Sequence, residues 1–207
     1  MNINKHLILL FSVLFFLFAV SVSSGCFRKN ESDVKSVVRN ELDQLKNLDS
    51  ETTQKYIPYT ELFPDATENT DLTDEINKTF SLFFRKFNYK ISDVIVGTAN
   101  HSATVSVKLT TIDSKVLARD FKAELLRTQI TESAQAQKGN IKDSSRSLEA
   151  HYLILNHLLN TNDYDTAETD CNIQLVNTGN DKKEKWKIQR TNSLEDDLVG
   201  GLIDRIS

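Results

Sequence analysis

Apolar residues recur along this chain with two different periods, and the change from one to the other divides it into elements. From Asp33 to Leu48 the apolar positions are Val34, Val37, Val38, Leu42, Leu45 and Leu48. Steps of three and four put them on one stripe of a helix. Ser32 or Asp33 is the expected N-cap. Asp49-Ser50-Glu51 reads as a break and a fresh cap for a short helix that ends before Pro58, since the residue preceding proline disfavours helical backbone. A loop over Tyr56–Thr70 holds both prolines, Pro58 and Pro64. The spacing then predicts a helix over Leu72–Lys86, with Leu72, Ile76, Phe80, Phe83 and Phe84 on one face. Three phenylalanines so close together are core material first and a ligand lining second.

At Phe87 the period falls to two. Phe87, Tyr89 and Ile91 share a face, Val94 and Val96 continue it after a slip, and a β-bulge accounts for the slip. Gly97-Thr98-Ala99-Asn100 supplies turn residues before Ala103, Val105, Val107 and Leu109 alternate with Thr104, Ser106, Lys108 and Thr110. This is the clearest hairpin of the chain, and its second strand carries a hydroxyl-rich face directed at water or a wet cavity. Asp113 ends the strand and caps a helix running to about Gln137, with Ile112 stapling to Leu117. Its apolar positions are Leu117, Phe121 and Leu125, flanked by Val116, Leu126 and Ile130, and Gly139-Asn140 stops it. A helix over Ser147–Leu159 has so wide an apolar face (Leu148, Tyr152, Ile154, Leu155, Leu158, Leu159) that burial on more than one side is expected. After a turn at Asn160–Asp165, a strand over Ala167–Asn177 places Thr169, Cys171, Ile173 and Leu175 on one face. A turn at Thr178–Asp181 leads to a strand over Glu184–Arg190 with Trp186 and Ile188. A short terminal helix through Leu194, Leu198, Val199 and Leu202 is interrupted by Gly200-Gly201. Helices, a hairpin, a helical excursion and a second hairpin make the expected fold class α+β.

The first 25 residues follow different rules. Lys5 and His6 precede an apolar run, Leu7–Val20, broken only by Ser12, and small residues lead to Cys26. That is the layout of a secretory signal. The run is shorter than the roughly 20 apolar residues needed to cross about 30 Å of hydrocarbon. Ser23-Ser24-Gly25-Cys26 resembles the lipobox of bacterial lipoproteins, with serine where leucine is commonest. The resemblance implies cleavage before Cys26, diacylation of Cys26, and anchoring on the extracytoplasmic face of the cell membrane. The expected organisation is therefore a signal over 1–25, lipidated Cys26 with a polar tether over 26–32, and one domain over 33–207.

Charge narrows the partners. Of 25 basic residues only Lys5 precedes Cys26, and none of the 29 acidic ones does, leaving 24 against 29 and a mature net charge of −5. With no lysine or arginine block, nucleic acid is excluded as an expected partner. If Cys26 is lipidated, Cys171 has no disulfide partner within the chain. It is either a buried apolar side chain in its strand or an intermolecular or redox thiol. No Cys/His spacing points to a metal, and no motif points to a cofactor.

Lys185-Trp186-Lys187-Ile188 through Leu198-Val199-Gly200-Gly201-Leu202, with Ala103–Lys108 before Asp113, resembles the lipoproteins of low-GC Gram-positive bacteria whose mature part is a nuclear-transport-factor-2-like domain of unknown function. The resemblance implies N-terminal helices packed on a curved, mainly antiparallel sheet, a cone that often encloses a pocket. The helical stretch 114–160 is longer than compact members of that superfamily carry. Enzymes on this fold use acid–base groups in the pocket, and the candidates are Asp93 and His151, then Tyr89, Asp113 and Tyr152. His151 and His157, six residues apart, lie roughly 240° apart around a helix and cannot share a metal or a proton. His101 falls in a turn. Three functions stay open: a binding or protein-interaction module for an unknown small molecule or protein, a small-molecule enzyme, and a structural envelope protein. An empty cone lined by titratable groups would favour the enzyme, and a filled cone with an exposed apolar groove would favour a protein partner.

Overall fold

The computed structural model describes residues 30–57, 62–63, 72–97, 101–136, 147–179 and 185–206. The signal, Cys26, Pro58, Pro64, the turn at 98–100, Gly139-Asn140 and the start of the last expected strand lie outside the described residues.

Helix α1 (30–46) buries Val34, Val38, Leu42 and Leu45, the stripe that the spacing requires. Residues 30–32, expected in the tether, are already helical, and Asn30 is buried, so neither Ser32 nor Asp33 is the cap. Leu48, expected on the stripe, instead sits at φ 63° and is 42% exposed. The Leu48 N–H donates to the Leu45 carbonyl at 3.1 Å and the Asp49 N–H to the Gln44 carbonyl at 3.0 Å. This is the Schellman closure of a helix, and it puts its left-handed residue outside the core. Asp49 then caps α2 (Ser50–Tyr56), accepting from the Thr52 N–H at 2.8 Å.

Helix α3 (Thr73–Phe84) buries Ile76, Phe80, Phe83 and Phe84, and the phenylalanine rings run edge-to-face from Phe83 through Phe84 to Phe87 at 5.6 and 5.3 Å. The four strands among the described residues are antiparallel, in the order β1 (Asn88–Val96), β2 (Ser102–Ile112), β3 (Thr166–Asn177), β4 (Trp186–Ile188). The expected bulge falls between Ile91 and Asp93. The Ser92 hydroxyl there donates to the Ser106 carbonyl at 3.0 Å. β2 and β3 pair along their whole length, so the helical excursion departs from and returns to the centre of the sheet. β4 is only three residues, holding Trp186 and Ile188 but ending short of the expected Arg190.

The excursion is α4 (Ser114–Ala136) and α5 (Leu148–Thr161). Asp113 starts α4 as expected, accepting from the Lys115 N–H at 3.0 Å. Ser147 caps α5, accepting from the Ala150 N–H at 3.1 Å. α5 packs against both α3 and α4, which explains its wide apolar face. α4 departs from expectation in its second half. Leu117, Ala118 and Phe121 are buried, but Leu126 and Ile130, roughly 180° and 220° around the helix from Leu117, are 57% and 62% exposed on its opposite side. The terminal helix is two helices, α6 (Asn192–Leu198) and α7 (Leu202–Ile206), hinged at Gly200 and Gly201, both at positive φ.

Helices cover one face of the sheet. Ala103, Val105, Val107, Leu109, Cys171, Ile173 and Leu175 are buried against them, and Thr104, Ser106, Lys108, Glu168, Asp170, Asn172 and Gln174 lie on the other face, exposed or half-exposed. The architecture is thus α+β, an open antiparallel sheet with helices packed on it.

Candidate functional site

The side chains expected to do chemistry are dispersed. Asp93 lies on the bulge and points to solvent. His151 is half-buried on the first turn of α5, with ring Nδ1 2.8 Å from the Ser147 carbonyl. A carbonyl only accepts, so the proton of that pair is on Nδ1. The imidazole stacks near Phe63 and Phe121, with centroids 4.9 and 5.8 Å away. Neither Asp93 nor His151 has a second titratable group at hydrogen-bond distance among the described residues. Asp113 is occupied with capping α4. Tyr152 is fully buried, edge-on to Phe63 at 5.2 Å. His101 and His157 are both exposed.

Cys171, Tyr89 and Tyr164 are each moved away from the neutral range in which proton transfer works best. Cys171 is a free thiol, 2% exposed; burial, then the neighbouring Asp197 carboxylate, pushes it up to about 12. This is the buried-strand alternative of the two that the sequence left open. Burial, with the Asp43 carboxylate that it contacts at 2.6 Å, pushes the Tyr89 hydroxyl up to about 12. Tyr164, which donates to Asp120 at 3.2 Å, is likewise pushed up to about 12, by burial first.

Beside Cys171 the C-terminal helices are tied down by polar contacts that the sequence did not announce. Arg190 pairs with the buried Glu195 carboxylate. The Ser114 hydroxyl donates to the Gly200 carbonyl and accepts from Arg205 Nε at 3.2 Å. The Asp204 N–H donates to Asp196 at 3.2 Å. Burial holds the carboxyls of both Asp196 and Asp197 above the usual aspartate range. These groups join α6 to the segment after β4, to β3 and to α7, and join α7 to α4, which is a structural task.

An open concavity lies elsewhere, between α3 and α5, with a volume of about 380 Å³. Asp74, Glu75 and Lys78 form one wall, Leu153, His157 and Asn160 the other. Asn156 makes the floor: its amide oxygen accepts from the Thr79 hydroxyl at 2.9 Å and its Nδ2 donates to the Glu75 carbonyl at 3.3 Å. Leu153 is 50% exposed in this otherwise charged setting. It was visible in the sequence only as a leucine out of phase with the stripe of α5; the opposite wall had no signal, since α3 shows just its apolar face to a periodicity count. Among the described residues no group of three or more His, Cys, Asp or Glu side chains is arranged to hold a metal ion.

No family model, curated protein or solved structure matches the chain. Function therefore has to be argued from this geometry.

Proposed function

We propose that this chain is an extracytoplasmic protein-interaction module, anchored by lipid on Cys26 and similar in fold to the nuclear-transport-factor-2-like lipoproteins. The observation that carries the reading is the packed underside of the sheet. Where an enzyme of that fold would keep a pocket, Val105, Val107, Leu109, Ile173 and Leu175 are each no more than 1% exposed, in one buried cluster with Phe84, Phe121 and Tyr152. The titratable groups nearby, Cys171 and Tyr164, are displaced far from neutrality. What the surface offers is the α3/α5 groove, with an apolar side chain on one wall and both signs of charge on the other. Such a composition suits a protein segment, whose apolar anchor and polar rim it mirrors, more than a reacting small molecule. The anchor rests on the sequence alone. Two acyl chains, at about 0.8 kcal/mol for each buried CH₂, hold where one is marginal.

The test has two readings in cells that express the full chain. Cys26→Ser should leave an unlipidated form that is either uncleaved or released; co-fractionation with membranes and wild-type migration would overturn the anchor. A photo-crosslinking residue in place of Leu153 should capture a discrete protein that the same residue in place of the exposed Ile95 does not. Capture of nothing at Leu153, together with saturable binding of a small molecule in the groove, would overturn the interaction reading.

A further inference from the structure

The sheet ends on an edge that has backbone groups to offer. The Asn177 N–H donates to the His101 carbonyl and the Asp113 N–H to the Asp165 carbonyl, at 2.9 and 2.8 Å. Between them β2 and β3 pair without a bulge, Ser102 with Val176 through Ile112 with Thr166. In such a ladder alternate residues direct both backbone groups to the same neighbour. The odd-numbered residues of β3 therefore bond to β2, and the even-numbered ones face away. β4 takes up the first of these. Val176 pairs with Lys187, and the Gln189 N–H donates to the Gln174 carbonyl at 2.8 Å. Then the chain leaves for α6. Among the described residues no backbone group bonds Asn172, Asp170 or Glu168 from that side.

Three N–H and three C=O groups thus stand in line along an unpaired edge, and their geometry fits an extended strand. The side chains next to them set its charge. Glu168 and Asp170 are 63% and 89% exposed on the outer face, with Lys108 of β2 as their cation at 3.2 and 4.0 Å on the inner side of the sheet edge. On the helix-covered face the neighbouring group is Asp197, beside Cys171. Among the described residues no strand lies beside Glu168 and Asp170 on the side away from Lys108. A second copy of this chain is a poor occupant. Two β3 edges pairing antiparallel about Asp170 would set Asp170 against its own equivalent, and directly opposed like charges destabilise a sheet.

We infer that the open edge of β3, at Glu168–Asn172, binds an extended basic segment of a partner protein by strand addition. Main-chain bonds supply the affinity, and lysine or arginine at alternate positions of the incoming strand meets Glu168 and Asp170. This surface is separate from the α3/α5 groove, and it adds a partner class to the interaction reading on which it rests.

The probe is an acetylated, amidated hexapeptide alternating lysine with threonine and valine, measured by titration calorimetry against the full chain. An acidic counterpart carries glutamate for each lysine. The basic peptide should bind and the acidic one should not. Asn172→Pro removes an outward N–H without touching the β2 ladder, as proline on an edge strand can. It should weaken binding about tenfold or more, a difference of about 1.4 kcal/mol. Asn172→Ala keeps that N–H and should bind like the wild type. Should Asn172→Pro fail to fold, Asp170→Lys still decides: it should lose the basic peptide and gain the acidic one. Equal binding of both peptides, no binding of either, or unchanged affinity in Asp170→Lys would overturn the inference. So would a wild-type dimer that Asn172→Pro dissociates, since the occupant would then be a second copy. Leu153→Lys should leave the peptide affinity unchanged, which separates a failure of the edge from a failure of the groove.

Discussion

Gly200 and Gly201 make the same backbone demand in different surroundings, which turns them into a controlled experiment. Both have positive φ, 64° and 77°, where a side chain is strained by about 1–2 kcal/mol. A Cβ on Gly201 would meet nothing closer than Arg205 Nε at 3.5 Å, ordinary contact distance. A Cβ on Gly200 would run into the Thr111 hydroxyl, and Thr111 is 1% exposed with no room to retreat. Forcing an extra carbon into such packing costs about 1–3 kcal/mol more. Gly201→Ala should therefore cost about 1–2 kcal/mol and Gly200→Ala about 2–5 kcal/mol. For a chain of this size each kcal/mol lowers the melting midpoint by about 2–4 °C. Thermal unfolding followed by circular dichroism resolves that difference. Removing the obstacle should remove the excess: in a Thr111→Ala background, Gly200→Ala should cost no more than Gly201→Ala does. Equal losses for the two glycines in the native background would refute the close approach of α6 and α7 to β2. An undiminished loss in the Thr111→Ala background would refute the part assigned to the hydroxyl.

Leu48 bears the same left-handed strain without being glycine and leaves its side chain 42% exposed. Leu48→Gly should raise the melting midpoint by a few degrees through relief of about 1 kcal/mol, and a lowered midpoint would show the leucine to be packed. Trp186→Ala should cost about 3–5 kcal/mol in denaturant unfolding, because the indole is 7% exposed at the start of β4; wild-type stability would reopen it as a ligand contact. Asp197, its carboxyl raised by burial against a smaller opposing pull from the Cys171 thiol, binds its proton more tightly folded than unfolded. The stability this gives is complete below the unfolded value, about pH 4, and is lost as pH rises through the higher folded value. Asp197→Asn should therefore be more stable than the wild type at pH 7, with the advantage shrinking on acidification. A difference that did not change with pH would refute burial as the cause.

How much of this was legible beforehand depends on the range of the interaction concerned. Local rules were enough for the stripe of α1, the Asp49 and Asp113 caps, the bulge after Ile91, the alternation of β2 and the glycine break before α7, because each is written in residues a few positions apart. The α+β class followed from their order. Local rules failed where a residue's fate is decided by what lies across from it. Leu48 fits its helical stripe as well as Leu45 does, yet it is exposed, since a period specifies a face and not where the helix stops. Glu75 and Asn156 are 81 positions apart and meet only because α3 packs on α5. β4 ends at Ile188, short of the expected Arg190, and the chain's departure for α6 leaves Glu168, Asp170 and Asn172 without a described strand beside them. Asp93 and His151 had plausible chemistry in the sequence, but catalysis requires a second group within hydrogen-bond reach, and only the tertiary fold decides which groups come that close. The helices and strands were encoded by short-range periodicity; the filled underside, the groove and the open edge were decided by where those elements end against one another.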